Sequence, residues 1–415
     1  MQAKINFSPA TSWRWLYSLF LFTLALLVVV FPNSFQVATL CVLLLCFVFL
    51  CFRFSLSYGV LLLLGFMCLS FLVSFLYLVV GVLNGAPGVA VIHVLFVYVF
   101  SPLFWFFVIY GALKLYGEVK IVRLFSFLAV LCVISVAVFF ALFINFGPDS
   151  VSMFKENANV NVKEGYSGAT MHVYGSLIFI TGAFFAASDT IPKRSTRFFI
   201  LLSLLVCALT SGRSALMLAA PVGLLIFFVI SKGFSPKKVF HGFIIISLLS
   251  FILIYIMGVF FERDILRIIS LFLEEMGEGG GSARVGQSLA LWDGVAVNSG
   301  IGSGHGVGVD YIRSYEFPWR YEVVWLATIY RVGFFGAFIY FLPFLIYFLL
   351  FFRRFIRGEV GSVDRFFFGG FLCVFLASTT NPYIEAFSFQ WMYILPVVLL
   401  FDKLRIGRSE RNAIA

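Results

Sequence analysis

Charged residues are scarce in this chain. Only 12% of its 415 residues are charged while 62% are hydrophobic, and a soluble domain has about 25% charged residues. This excludes an ordinary soluble protein and predicts a polytopic membrane protein. The formal net charge of +10 raises the question of nucleic-acid binding. Most basic residues lie in short segments between apolar runs, a pattern of membrane topology, so we expect no nucleic-acid partner.

Metal-binding and disulfide patterns are also lacking. The chain has four histidines, His93, His172, His241 and His305. None of them has a metal-binding spacing such as HxxxH, so we expect no bound metal. We expect no other cofactor either. All 7 cysteines fall within apolar runs, which predicts small buried hydrophobic side chains rather than disulfides. No internal repeat stands out, so the pattern gives no support to an inverted-repeat transporter.

Apolar runs of about twenty residues are abundant and predict transmembrane helices. We count twelve, at about 13–31, 35–52, 55–83, 88–113, 121–146, 171–188, 197–211, 214–231, 239–261, 321–352, 366–382 and 387–401. The third, fourth and tenth are long enough to be tilted or kinked. The predicted fold is an all-α polytopic membrane protein with a single membrane domain over residues 1–415.

The distribution of basic residues predicts the orientation of these helices. Twelve spans place both termini on one side, and the segments on that side hold 20 of the 29 lysines and arginines. The positive-inside rule therefore predicts that both termini are cytoplasmic. Two substantial segments then lie outside the cytoplasm, 147–170 and the large loop 262–320.

The large outer loop is rich in arginine and glycine. Its residues 265–276 have helical periodicity and predict either a helix on the membrane surface or a continuation of the ninth span. After Gly279-Gly280-Gly281, Ser282 is a candidate N-cap, with Arg284 in the first turn and Ser288 four residues further along the same face. A helix start attracts phosphate, so we interpret Arg284 as an anion-binding residue. The alternative is a solvated arginine in a flexible loop.

Alternating glycines follow at Gly300-Ile301-Gly302-Ser303-Gly304-His305-Gly306-Val307-Gly308. This is not a dinucleotide fingerprint, because no strand and helix frame it. It predicts either a backbone nest close to an anionic or sugar ligand or a plain flexible turn.

Ionisable residues at the ends of other runs extend this outer region. Arg213 lies in the turn Thr210-Ser211-Gly212-Arg213-Ser214-Ala215, where an arginine either snorkels or has a functional partner. Glu322 and Arg331 lie nine residues apart near the start of the tenth run. One interpretation is that the two residues form an ion pair and neutralise each other. The other is that Glu322 is a base and that partial burial raises its pKa.

Several segments together resemble the O-antigen ligase/polymerase family, which are bacterial membrane glycosyltransferases. The first is Ser211-Gly212-Arg213-Ser214-Ala215. The second is Arg284 followed by Trp292 and the Gly300–Gly306 run, and the third is Glu322 followed by Gly333-Phe334-Phe335-Gly336. Tyr166-Ser167-Gly168-Ala169-Thr170-Met171-His172 also resembles a family segment that precedes a mid-chain span. The resemblance covers about residues 160–340 and implies a GT-C-like fold with a large, partly helical periplasmic loop.

The resemblance implies an inverting, metal-independent glycosyl transfer at the periplasmic face of the bacterial inner membrane. Donor and acceptor would be undecaprenyl-pyrophosphate-linked glycans, in a lipid membrane, with a chain-length regulator protein as a candidate partner. Arg213, Arg284 and Arg331 would bind the pyrophosphate, and Glu322, or else His305, would be the base. Candidates for further substrate contacts are Ser211, Ser288, His172 and Tyr321.

Two alternatives to a repeat-unit polymerase stay open at this point. One is an O-antigen ligase that transfers glycan to lipid A-core. Members of that branch have a histidine eleven residues before the Gly-x-x-Gly motif, and Glu322 occupies that position here, which favours the polymerase. The other is a transporter or lipid flippase. Such a protein is expected to have ionisable residues at mid-membrane depth in several helices, and this chain has few.

Overall fold

The computed structural model describes residues 11–50, 54–146, 158–160, 169–171, 173–211, 213–231, 244, 248, 280–313, 315 and 317–405. The candidate residue His172 and the predicted surface helix 265–276 lie outside these residues. So does nearly all of the predicted ninth span, 239–261.

Helices account for most of the described chain, as the apolar runs predict. The first half contains α1 (Thr11–Val29), α2 (Gln36–Leu50), α3 (Tyr58–Leu83), α4 (Gly88–Leu95), a π-helical turn (Phe96–Phe100), α5 (Ser101–Tyr116) and α6 (Glu118–Phe146). Two three-residue strands follow, β1 (Ala158–Val160) and β2 (Ala169–Met171), and they pair antiparallel. This ladder is an exception to the all-α prediction.

The second half is also helical. It contains α7 (Val173–Ala186), α8 (Arg194–Thr210), α9 (Ser214–Ser231), α10 (Gly280–Val297), α11 (Val324–Ile356), α12 (Ser362–Ala377) and α13 (Trp391–Asp402). Short 3₁₀ turns lie at Ser188–Thr190, Tyr383–Glu385, Phe387–Phe389 and Lys403–Arg405. Helix α10 occupies the predicted large loop, which is therefore partly helical.

Four helical segments are long and apolar enough to cross a membrane: Tyr58–Leu83, Gly88–Tyr116, Glu118–Leu142 and Val324–Ile356. Shorter apolar helices accompany them. Large apolar side chains are exposed along α3 and α11, among them Leu72, Leu76, Phe335 and Leu349. Exposed apolar surface on this scale is unfavourable in water. The fold is therefore consistent with a membrane protein whose lipid covers these faces.

Ion pairs gather where α13 ends. Asp402 pairs with Lys114 at 2.8 Å, and Lys403 contacts both Glu118 and Asp364. The ends or beginnings of α5, α6, α12 and α13 thus meet in one polar layer. The beginning of α13 lies at the opposite end of the bundle, where Gln390 bonds to Ser101. The candidate residues are found at that opposite end.

Helix α11 is kinked at Gly333, whose φ of 66° and ψ of 177° are not helical. In a regular helix the Phe334 amide would donate to the Tyr330 carbonyl. Here it donates to the Gly300 carbonyl at 3.0 Å, and the Ser303 amide donates to Tyr330 at 2.8 Å. The glycine-rich loop thereby completes the hydrogen bonding of the kinked helix. The kink agrees with the expectation for the long tenth run.

The described cysteines are unpaired, as expected. Cys46, Cys132, Cys207 and Cys373 are buried, whereas Cys41 and Cys68 are exposed. The prediction of burial is wrong for these last two, because their helices α2 and α3 each have a face that packs against no other described helix.

Candidate functional site

A buried ion pair lies at the centre of the candidate site. Arg331 contacts the Glu385 carboxylate, and the side chains of both are only 3% exposed. Tyr98 donates its hydroxyl to Glu385 at 2.7 Å and accepts from Arg331 at 3.0 Å. Arg331 also donates to the Trp319 carbonyl at 2.7 Å. A buried charge is tolerated only when it is paired and hydrogen-bonded, and this arrangement meets both conditions.

Irregular backbone presents these groups. Tyr98 lies in the π-helical turn between α4 and α5, and Glu385 ends a 3₁₀ turn after Pro382. A π turn redirects side chains that a regular helix would send elsewhere, and such turns are frequent at functional sites. Gln390 steadies the segment, since its amide donates to the carbonyls of Val97 at 2.8 Å and Ile384 at 3.2 Å.

Glu385 is ionised in this environment. Burial alone would raise its pKa, but the Arg331 guanidinium and the Tyr98 hydroxyl hold the pKa below its usual value. The carboxylate is therefore a fixed negative charge facing a fixed positive one.

Arg213 reaches the same 3₁₀ turn from another part of the chain. Its Nη1 donates to the Tyr383 hydroxyl at 2.8 Å, and Tyr383 is two residues from Glu385. The buried Ser211 hydroxyl accepts from the Arg213 amide at 3.1 Å and donates to the Ala208 carbonyl at 2.7 Å. Ser211 thus shapes the turn between α8 and α9. Among the described residues, no carboxylate pairs with Arg213.

Glu322 lies between two other arginines. Its carboxylate accepts from Arg284 Nε at 2.9 Å and from Arg313 Nη2 at 2.8 Å. Its amide donates to Gln287 on α10 at 2.8 Å. The side chains are 22% exposed for Glu322, 35% for Arg284 and 37% for Arg313. This group is therefore accessible to a ligand, unlike the pair formed by Arg331 and Glu385.

Two details of this group differ from the sequence interpretation. Helix α10 begins at Gly280, so Ser282 lies inside it and is not its N-cap, and Arg284 lies beyond the first four residues. Glu322 and Arg331 do not compensate each other, because each has partners of its own. Arg331 instead bonds to the Trp319 carbonyl, at the beginning of the segment Trp319–Glu322 that ends with Glu322.

That segment joins the two groups. Trp319 is buried, and its carbonyl accepts from Arg331. Tyr321 is fully buried, and its hydroxyl accepts from the Val309 amide at 2.7 Å. Three residues separate Trp319 from Glu322. The candidates Arg213, Arg284, Glu322 and Arg331 are thus brought into one connected region, although they come from four chain segments.

His305 is buried beside this region. Its Nε2 lies 3.0 Å from the Tyr340 hydroxyl, which in turn lies 2.7 Å from Ser74 Oγ. Burial, assisted by the nearby positive charge of Arg331, lowers the pKa of His305 to about 3. Its Nδ1 has no hydrogen-bond partner among the described residues. A neutral and enclosed imidazole is poorly placed to take a proton from a sugar hydroxyl.

The glycine-rich loop is not a flexible turn, because several of its amides are hydrogen-bonded to neighbouring helices. Gly304 donates to the Arg331 carbonyl at 2.9 Å and His305 to the Tyr77 carbonyl at 2.8 Å. Gly304 has a φ of 94°, and a Cβ there would lie 2.2 Å from the Gly81 nitrogen. Glycine is needed here because the loop backbone packs directly on α3.

The remaining residues predicted to contact substrate, Ser288 and Tyr321, do not bond to the described arginines or carboxylates of the site. Ser288 lies one turn from Arg284 on α10 and is partly buried. Tyr321 is buried in a small apolar cluster with Leu291 of α10 and Ala327 of α11. Among the described residues, no group of three His, Cys, Asp or Glu side chains could hold a metal ion.

An apolar cavity of about 170 Å³ adjoins the ion pair. Helices α3, α5, α11 and α13 line it with side chains such as Leu63 and Phe344. Tyr98, Glu385 and Gln390 supply polar groups. The site therefore combines cations with an adjacent space suited to an apolar chain.

Several residues of the site are not apparent from the sequence. Tyr98, Tyr383 and Glu385 lie in or beside apolar runs far from the large loop, and Arg313 has no distinguishing neighbours. A signal for Glu385 does exist, because a carboxylate between two apolar runs requires a partner.

Comparison of the chain with protein-family models, with curated proteins and with solved structures returned no match.

Proposed function

We propose that this protein polymerises lipid-pyrophosphate-linked oligosaccharide repeat units by a metal-independent, inverting glycosyl transfer. The observation that carries the proposal is the gathering of four arginines around Glu322, Glu385 and Tyr383 at one end of the helical bundle. Arginine recognises phosphate oxygens in pairs, and Arg213 has no carboxylate partner among the described residues.

In this proposal the arginines hold the donor pyrophosphate. Arg213 would bind it directly, because its charge is not otherwise neutralised by the described residues. Arg284 and Arg313 would bind it by exchanging Glu322 for phosphate oxygens. Arg331 would stabilise the charge of the pyrophosphate without direct contact, because it is buried and bonded to Glu385 and is therefore a fixed positive charge. Fixed cations stabilise charge that develops on a leaving oxygen.

Glu322 would be the base. Once Arg284 and Arg313 bind the pyrophosphate, the carboxylate oxygens of Glu322 are free to accept a hydrogen bond from the acceptor hydroxyl. The acceptor hydroxyl oxygen forms a bond to the anomeric carbon while the bond from that carbon to the pyrophosphate breaks. Glu322 takes the hydroxyl proton, and undecaprenyl pyrophosphate leaves as the second product. The apolar cavity beside Glu385 is suited to its first isoprenoid units.

The finer topology belongs to the same proposal. Twelve spans in the bacterial inner membrane, with both termini in the cytoplasm, would place the arginines at the periplasmic face. The layer with Lys114, Asp364, Asp402 and Lys403 would then face the cytoplasm. A chain-length regulator would contact the growing glycan from the periplasmic side.

The test is extension of a lipid-pyrophosphate repeat unit by the purified protein, with products resolved by chain length. We expect a ladder of products from the unmodified protein and none from Arg213→Gln or Arg284→Gln. Arg357→Gln is the matched control, because Arg357 is exposed and lies at the far end of α11. Transfer of glycan to lipid A-core, added as a second acceptor in a parallel reaction, would identify a ligase instead. Unchanged ladders in both arginine variants would exclude the assigned roles.

A further inference from the structure

A second cavity lies away from the arginine site, between α1, α5, α6 and α13. Its volume is about 360 Å³. Along its length it is lined by apolar or small side chains, including Ala25, Val28, Trp105, Ala112 and Leu128. None of these residues belongs to the site proposed for glycosyl transfer.

The cavity is elongated. Its lining runs along α1 from Ser18 to Val29 and along α5 from Trp105 to Tyr116. A helix rises 1.5 Å per residue, so each stretch is about 16 Å long. The hydrocarbon core of a bilayer is about 30 Å thick, so the cavity matches the depth of about one leaflet. These dimensions suit one acyl chain of a lipid.

The hydroxyl-bearing and charged side chains of the lining lie at only one end. The Ser18 hydroxyl lies 2.6 Å from the Tyr116 hydroxyl, and Lys120 lines the cavity beside them. This is the end at which Lys114 and Lys403 pair with carboxylates. Lys120 differs from both, since it pairs with no carboxylate among the described residues. An unneutralised ammonium at the mouth of an apolar slot complements an anionic headgroup.

We propose that this cavity binds an anionic phospholipid. One acyl chain fills the slot between α1, α5 and α6, and the phosphate lies against Lys120. The site is independent of the glycosyl-transfer proposal, because it lies at the opposite end of the bundle from Arg213 and Arg331.

Native mass spectrometry of the purified, delipidated protein tests this proposal. Phosphatidylglycerol and phosphatidylcholine with identical acyl chains are added separately, and undecaprenyl phosphate is added in a third series. We expect phosphatidylglycerol to bind about fivefold more tightly than phosphatidylcholine, because its headgroup is anionic whereas choline neutralises the phosphate of the other lipid, and one lysine near an anionic headgroup contributes about this factor. Lys120→Gln should remove that difference, and Lys120→Arg should retain it. Lys193→Gln, at an exposed lysine immediately before α8, is the matched control.

A second set of variants tests the slot itself. Ala112→Phe places a ring in the cavity and should abolish phosphatidylglycerol binding. Ala137→Phe makes the same change on an exposed face of α6 and should leave binding unchanged. Ala25→Phe replaces Ala112→Phe if the latter fails to fold. Equal affinity for the two phospholipids, retained binding in the filled variant, or undecaprenyl phosphate binding that is lost in both Lys120→Gln and Ala112→Phe would each overturn the proposal.

Discussion

Arg331 and Glu385 form a buried ion pair although 54 residues separate them along the chain. The charge of each residue is neutralised mainly by the other, and the Tyr98 hydroxyl is hydrogen-bonded to both. The kink at Gly333 and the turn after Pro382 bring them together. The π turn supplies Tyr98 to this pair, and the glycine-rich loop bonds to the Arg331 carbonyl through the Gly304 amide.

The first prediction concerns the stability that this pair provides. Glu385→Ala leaves the Arg331 charge buried without a counterion, so we expect the free energy of unfolding to fall by about 3–5 kcal/mol. Asp402→Ala removes a carboxylate from the more exposed pair with Lys114, and should cost about 1 kcal/mol or less. Thermal unfolding in detergent compares the two variants. Equal shifts would contradict the structural distinction between them.

The second prediction separates chemistry from stability at Glu322. Glu322→Gln keeps the shape of the side chain but removes the base, so we expect the rate of chain extension to fall at least about 100-fold. The free energy of unfolding should change by about 1 kcal/mol or less, because the ion pairs with Arg284 and Arg313 are partly exposed. Glu359→Gln, at an exposed position, is the control. An extension rate within a few-fold of the unmodified protein would mean that the base is another residue.

The third prediction is a pH dependence of stability from His305. Its pKa is about 3 in the folded protein and about 6.5 when unfolded. Below pH 6.5 the unfolded chain binds a proton that the folded one does not, so stability falls as the pH decreases from about 6.5 towards 3. Between pH 7.5 and pH 5 the loss should be about 2 kcal/mol. His305→Gln should flatten the melting temperature over this range, and parallel pH profiles would contradict the prediction.

The fourth prediction concerns the close packing of the glycine-rich loop on α3. Gly85 and Gly304 both have positive φ values, of 88° and 94°, but only at Gly304 would a Cβ meet backbone, at 2.2 Å. Gly85→Ala should therefore cost about 1–2 kcal/mol for its left-handed conformation. Gly304→Ala should cost a further 1–3 kcal/mol, roughly, because Gly81 must move. Similar melting temperatures for the two variants would argue against this contact.

The sequence predicts the helices well. Eleven of the twelve apolar runs coincide with described helices, counting α4 to α5 as one, because hydropathy is a local property that needs no tertiary information. The number of membrane crossings and the orientation stay predictions. The predicted start of α10 is wrong by three residues, since Gly280, Gly281 and the expected cap Ser282 all lie within the helix.

The sequence also singles out Arg213, Glu322 and Arg331, because charges beside apolar runs are costly, and Arg284, because it lies near a predicted helix start that attracts phosphate. It does not reveal their partners. Glu385 and Tyr98 lie in segments without any motif, and the pairing of Glu322 with Arg313 depends on how the outer loop folds back.

The character of the chain as an apolar, helical and cation-rich protein is therefore determined by the sequence alone. The tertiary structure determines which acidic and basic residues form ion pairs. Arg213 and Lys120 have no carboxylate partner among the described residues. The physical reason is that hydropathy acts over a single helix, whereas an ion pair needs two groups within about 4 Å. That proximity is set by the kink at Gly333 and the packing of separate helices.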